Sequence, residues 1–232
     1  MKNKVFATPV KTFMFRSKKL VLFCSFIPMV SMAQQQVDKE SGYFSLGIRT
    51  AFSAFSDAGY SGMGYGGQYR IRVLERMNTD WFADYITTDI AGIAKREDMH
   101  IGWSILAYPF NAQMTAGKFT PYILAGHCFD WTKVSKNDSP MAKEKWSSAV
   151  QAGLGMHYNV TDRMDISLTA QYMMHLGKAV HAEVFEIDGK KDVMITKSPV
   201  SGVEGHMLIN LSMNVRLFDM WDQHHKRKPK TE

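Results

Sequence analysis

Between Tyr43 and Phe218 the chain alternates bulky apolar residues with small or polar ones at a period of two. The alternation runs in segments of about ten residues divided by turn formers, the signature of half-buried strands. Eight segments are predicted, over about 43–55, 63–76, 79–90, 98–110, 119–134, 145–160, 163–176 and 202–218. The first sets Phe44, Leu46, Ile48, Thr50 and Phe52 against Ser45, Gly47, Arg49, Ala51 and Ser53. The sixth sets Trp146, Val150, Ala152, Leu154, Met156 and Tyr158 against Ser147, Gln151, Gly153, Gly155 and His157. The seventh and eighth are as clean, with Ile166, Leu168, Ala170 and Tyr172, then Val203, Met207, Ile209, Leu211, Met213 and Val215, on the apolar parity. The third is less regular, and the fifth is ambiguous.

The connections alternate too. Those after segments two, four and six are fairly short, and those after one, three, five and seven are mostly longer and more polar. The last, about 177–201, extends as a hairpin around Asp188-Gly189. Short turns on one side and long loops on the other fit a membrane barrel with both termini in the periplasm. A soluble carrier barrel with an oily interior would show the same alternation. Side-chain size separates the two, because an eight-stranded barrel is only just wide enough inside for side chains to fill. The small polar parity therefore belongs inside. The bulky parity belongs in lipid, where it does not drive aggregation. Trp81, Trp131, Trp146 and Tyr158 lie near segment ends and are candidates for interfacial girdles. The expected fold is all-β: an eight-stranded antiparallel up-and-down transmembrane β-barrel, closed because lipid offers no partner to a free strand edge.

Composition changes this picture little. No stretch approaches the roughly 20 apolar residues of a membrane helix. The net charge of +6 resides in the first 33 residues, which hold Lys2, Lys4, Lys11, Arg16, Lys18 and Lys19 and no acid. With those set aside, 22 basic residues face 22 acidic ones, so the charge gives no argument for nucleic-acid binding. Lys18-Lys19, an apolar run over 20–30 and Ser31-Met32-Ala33 read as a secretory signal cleaved before Gln34. Met14 opens a signal of ordinary length, so translation starts at Met1 or at Met14. Cys24 falls in the discarded run, and Phe23 before it is too bulky for a lipoprotein cleavage site. Cys128 alone then remains, and no intrachain disulfide is possible. The expected organisation is a signal peptide (1–33), a periplasmic leader (34–41), the barrel (42–218) and a basic periplasmic tail (219–232).

The segments FTPYILAGHCFDW, SSAVQAGLGMHYNVTDRMDISLTAQY and HMLINLSMNVRLF resemble the outer-membrane protein β-barrel family, the small OmpA/OmpX-like or PorT-like barrels. The resemblance covers about 42–218. It implies a location in the outer membrane among lipid and lipopolysaccharide. Phe218, closing the last segment, resembles the aromatic signal read by the barrel-insertion machinery; Arg216 departs from that pattern, and a tail follows. It says far more about fold than about activity.

Candidate chemistry lies on the inward parity. Arg49, Arg70 and Asp84 fall on consecutive segments at middle depth, where buried charges must pair. They are expected to form a charge network that plugs the lumen. His100, His175 and His206 fall near the extracellular ends, with Glu204 and Asp130 at similar height. Converging imidazoles and carboxylates could bind a transition metal. Against this, segment four lies across the barrel from seven and eight, and there is no tight ligand spacing. Histidines satisfied by packing are the plainer reading. His127 and Cys128 match no deacylase or acyltransferase motif, and Cys128 reads as a small packed residue. No cofactor is expected. The expected function is a structural or surface-interaction barrel, its best contact surface for an extracellular ligand being the 177–201 loop. The alternatives are an outer-membrane lipid-modifying enzyme and a soluble periplasmic carrier barrel.

Overall fold

The computed structural model describes residues 42–55, 60–110, 115–198 and 202–221. The expectations for 1–33 and 34–41, and all of the tail beyond Trp221, lie outside the described residues. The strands are β1 (Tyr43–Phe55), β2 (Ser61–Leu74), β3 (Met77–Ile90), β4 (Ala94–Ala107), β5 (Phe119–Lys136), β6 (Ala142–Thr161), β7 (Met164–Gly177), β8 (Val180–Ile187), β9 (Lys190–Lys197) and β10 (Gly202–Asp219). Eight of them close a barrel in the order β1-β10-β7-β6-β5-β4-β3-β2, every neighbour antiparallel. The first and last strands seal it, with Leu46 opposite Val215 and Thr50 opposite Leu211. β8 and β9 form a separate hairpin in the β7–β10 connection. Its turn is Asp188-Gly189, both at positive φ (50° and 74°), the backbone that a two-residue hairpin turn requires. We call the end where β1 starts and β10 finishes the terminus end, and the other the hairpin end.

Alternation decides which residues face where. On β1, Arg49, Ala51 and Ser53 are buried inside while Leu46, Ile48 and Phe52 are exposed outside. The same holds on β6, where Leu154 is 64% exposed and Gln151 and His157 are buried. β5 resolves in favour of its even positions: Tyr122, Leu124, Cys128, Asp130, Thr132 and Val134 face inward. Its ambiguity has a physical cause. Tyr122 and Leu124 are large inward residues, contrary to the size rule, and neighbouring strands make room for them. A Cβ on Gly155 would run into the Tyr122 ring.

Strand ends differ from expectation at the hairpin end. β4 begins at Ala94 rather than 98, so the β3–β4 connection is only the tight turn Ala91-Gly92-Ile93. β5 and β6 likewise extend to Lys136 and back to Ala142. The longer polar loops expected there are partly strand. At 18 and 20 residues, these two exceed the roughly 9–11 that cross a bilayer.

Outside, aromatics form a cross-strand ladder toward the terminus end. Phe218 stacks on Phe44 (5.1 Å between centroids), Phe44 on Tyr69 (5.8 Å) and Tyr69 on Trp81 (5.9 Å), with Trp103 beyond (6.3 Å). Phe119 and Tyr158 continue the belt on β5 and β6 (4.8 Å). Toward the other end Trp131 lies opposite Trp146 in the β5–β6 register. Such belts place amphipathic rings where lipid meets water.

Candidate functional site: the barrel interior

Inside, the side chains fall into two zones separated by an apolar layer. That layer is Ala51, Phe82, Ile86, Cys128, Ala149, Met173 and Leu208. Cys128 is buried in it, its Sγ 3.7 Å from Met173 Sδ.

At the level of the layer and below it, toward the terminus end, the expected network of Arg49, Arg70 and Asp84 divides in two. Arg49 pairs with Asp84 (Nε–Oδ1 3.0 Å) and lies over the Phe82 ring (4.5 Å). Arg70 does not join them. It faces Asp80 (3.6 Å) and Asp165 (3.3 Å). Parity alone allows this, because Asp80 and Asp165 share the inward face; the β2–β3 register sets Asp80 directly opposite Arg70, and reach across the lumen adds Asp165. Asp165 also accepts from Asn214 Nδ2 (2.9 Å) and Ser167 Oγ (2.8 Å), and Asn214 Oδ1 accepts from Gln68 Nε2 (2.6 Å). His157 bridges Ser167 (2.6 Å) and Tyr108 (3.0 Å), while the Tyr122 ring stacks on it at 4.3 Å. Two voids among these residues hold about 10 Å³ each, at the limit of one water.

Above the layer, imidazoles replace tyrosines. Asp130 on β5 lies 3.2 Å from His100 Nε2 on β4 and 2.9 Å from His175 Nδ1 on β7. Ser147 Oγ also reaches its Oδ2 (3.1 Å). His175 Nε2 in turn lies 3.1 Å from His206 Nδ1 on β10. All three histidines are buried, and one nitrogen from each lies within 4.8 Å of the others. Segment four being across the barrel therefore does not keep His100 away: an interior this narrow lets imidazoles from opposite walls meet. Glu204 does not join them. Arg96 Nη1 (2.7 Å) and Lys145 Nζ (2.8 Å) hold its carboxylate, and Arg96 Nε reaches Asp98 at 3.0 Å. Arg96, Asp98 and Lys145 are not among the sequence-predicted site residues; Asp98 and Lys145 open segments four and six on the inward parity, and the extended β4 adds Arg96 to it.

The hairpin covers the mouth. Val180, Val193 and Ile195 pack on Ile90, Ala94 and Val134, inward residues at the barrel rim. Lys136 Nζ donates to Asp192 Oδ1 at 2.6 Å, and Lys197 Nζ to the Glu144 carbonyl at 3.1 Å. The Asp192 carboxyl, outside the membrane-crossing strands, is held below its usual range by the Lys136 hydrogen bond and then by the Val193 amide. Between hairpin and rim lies a cavity of about 520 Å³, its lining including Tyr60, Ile90, Val184, Arg96 and Glu204.

Residues 22–194 match the family model of the outer membrane protein beta-barrel domain. The chain belongs to that family. It is an outer-membrane protein, and its bulky exterior faces lipid, which removes the soluble carrier barrel from consideration. No curated protein matches it. Among solved structures, Neisserial surface protein A is similar at 16% identity and a TM-score of 0.54, over 76% of this chain and 98% of that one. Ail of Yersinia pestis is 14% identical with a TM-score of 0.47, over 76% and 99%. The N-terminal barrel domain of Pseudomonas aeruginosa OprF is 11% identical with a TM-score of 0.44, over 75% and 97%. At these identities the likeness to the Neisserial protein shows the fold and nothing about activity.

A polar pair also stands on the outer wall, on β5 and β6. His127 Nε2 and Ser148 Oγ lie 2.5 Å apart on the outward parity of β5 and β6, beside Phe129. The sequence reading passed over Ser148 because the two lie 21 residues apart, on neighbouring strands.

Proposed function

We propose that this chain is a non-enzymatic outer-membrane barrel whose interior is plugged by its own side chains and whose hairpin end meets an extracellular partner. The observation that carries this reading is the division of labour along the barrel axis. The terminus half is filled by Arg70, Asp80, Asp165, Tyr108, Tyr122 and His157, with room for little more than single waters. The hairpin half rises into strands longer than the bilayer and ends in β8–β9, where Phe185, Ile187 and Met194 are exposed among Glu186, Lys190 and Lys191. Exposed apolar side chains rimmed by charge suit protein or glycan contact.

On this reading residues 1–33 are removed at export, 34–41 form a periplasmic leader and 219–232 a periplasmic tail. The hairpin then faces the outside of the cell, and the barrel-insertion machinery delivers the chain. Asp188→Cys on intact cells should react with a membrane-impermeant maleimide; reaction only after permeabilisation contradicts this orientation. Proteoliposomes carrying wild-type barrel should adhere better to protein- or glycan-coated surfaces than those carrying Phe185→Ser/Ile187→Ser. Equal adhesion contradicts the contact role.

The second reading, a lipid-modifying enzyme, has the outer-wall His127–Ser148 pair in its favour. Ser148 would be the nucleophile and His127 its base. The two readings separate by the mass of lipid A recovered after incubation with wild type and Ser148→Ala: unchanged mass in both supports the non-enzymatic barrel.

A further inference from the structure

Asp130 is a buried carboxylate whose ion pairs, among the described residues, are both to imidazoles. The other interior carboxylates of both zones have an arginine or lysine: Asp84 has Arg49, Asp80 and Asp165 have Arg70, Asp98 has Arg96, and Glu204 has Arg96 and Lys145. A charge so enclosed needs a compensating positive charge nearby. It comes either from a proton shared by the imidazoles or from a cation that they bind.

We propose that His100, His175 and His206 bind one divalent transition-metal ion of the kind that favours imidazole, with Asp130 orienting two of the ligands. Three observations converge. Asp130 takes His100 through Nε2 and His175 through Nδ1, which leaves His100 Nδ1 and His175 Nε2 for the ion. A carboxylate behind a ligating histidine fixes both ring orientation and tautomer. His175 Nε2 and His206 Nδ1 are 3.1 Å apart. Two nitrogens each about 2.0–2.1 Å from zinc stand roughly 2.8–3.4 Å apart for angles between square and tetrahedral, so this pair already has a bidentate spacing. One ring nitrogen of each histidine lies within 4.8 Å of the other two, so closing the site asks the His100 side chain to move toward the His175–His206 pair.

The ligands come from β4, β7 and β10, three walls of the barrel, so the ion ties together strands that are not all neighbours. Neutral imidazole suits zinc, nickel and copper better than calcium or magnesium, which prefer oxygen. The approach is from the hairpin end. The cavity under β8–β9 is lined by Gly205, next to His206, and by Glu204 and Arg96, whose ion pair stands over the histidines.

The test uses the full chain purified in detergent, stripped with chelator and titrated with zinc by calorimetry. Heat-modifiable gel migration confirms that each variant is folded. Wild type should bind one ion per chain. His175→Ala and His206→Ala should each bind at least about a hundredfold more weakly, and Asp130→Asn roughly 10–100-fold more weakly, the range for loss of a ligand's carboxylate partner. His224→Ala/His225→Ala, in the tail, should bind like wild type. Folded wild type that binds no ion overturns the proposal. So does binding that survives both interior substitutions, or that disappears with the tail histidines. If the interior variants do not fold, X-ray absorption of zinc-loaded wild type decides: imidazole scattering from about three ligands supports the site, and an oxygen-only shell overturns it.

Discussion

The two halves of the interior solve one problem with different chemistry. Both enclose charge within a wall of strands. The terminus half does so with an arginine, Arg70, held between two aspartates and with tyrosines that fill the remaining volume. The hairpin half uses imidazoles around one carboxylate and an Arg96–Glu204–Lys145 bridge beneath a cavity of about 520 Å³. The first arrangement is fixed, since guanidinium does not lose its proton and the packing leaves room for little more than single waters. The second opens on that cavity, which admits water, and on the proposal above its imidazoles take up an ion. A single barrel thus has a fixed floor and an adaptable chamber.

This contrast can be broken. Arg70→Met strands Asp80 and Asp165 without their cation, so unfolding from lipid vesicles in urea should show a loss of about 3–5 kcal/mol. Ile195→Ala removes a buried contact between hairpin and rim. It should weaken hairpin docking by roughly 2–3 kcal/mol, the low end for such truncations, visible as faster amide exchange in β8 and β9 while β1–β7 remain protected. Arg96→Met should cost less than Arg70→Met, roughly 1–3 kcal/mol in the same urea experiment. Lys145 still holds Glu204, Thr132 still donates to Asp98, and the cavity admits water. Equal losses at Arg70 and Arg96 would erase the distinction between floor and chamber.

The smallest effect belongs to the rim. Asp192 is depressed below the ordinary carboxylate range by Lys136, so its contribution to docking is present above the unfolded-state value and fades as pH falls through the folded one. The protection of β9 amides, corrected for the slower intrinsic exchange in acid, should therefore fall as pH is lowered, and Lys136→Ala should weaken that acid dependence while leaving barrel melting unchanged.

The barrel was legible because lipid imposes a strict rule on alternate residues. Strands such as β6 and β7 obey it at nearly every position. Where legibility failed, the cause was local. β5 hides its parity because Tyr122 and Leu124 fill the floor from inside. The rim loops are shorter than their polarity suggests because β4, β5 and β6 continue as strands beyond the apolar band, where polar residues such as Lys95, Glu97 and Lys143 resemble loop. Individual site residues could be named, since height and parity follow from the alternation. Their partners could not. Whether Arg70 reaches Asp84 or Asp165, or whether His100 meets His206, depends on shear, side-chain length and the width of the lumen, none of which a single strand's sequence encodes. The His127–Ser148 pair shows the same limit on the outer wall: register between strands brought it together.

The claim that the floor, and not the hairpin, closes the lumen has a direct test. Ionic current across a planar bilayer should be measured for wild type and for a variant in which 180–197 is replaced by a short Gly-Ser link. Neither protein should carry steady current, because the Arg70–Asp80–Asp165 zone remains in both. Steady conductance from the hairpin-less barrel would show that the hairpin is the plug, and steady conductance from wild type would show an open path through the floor itself.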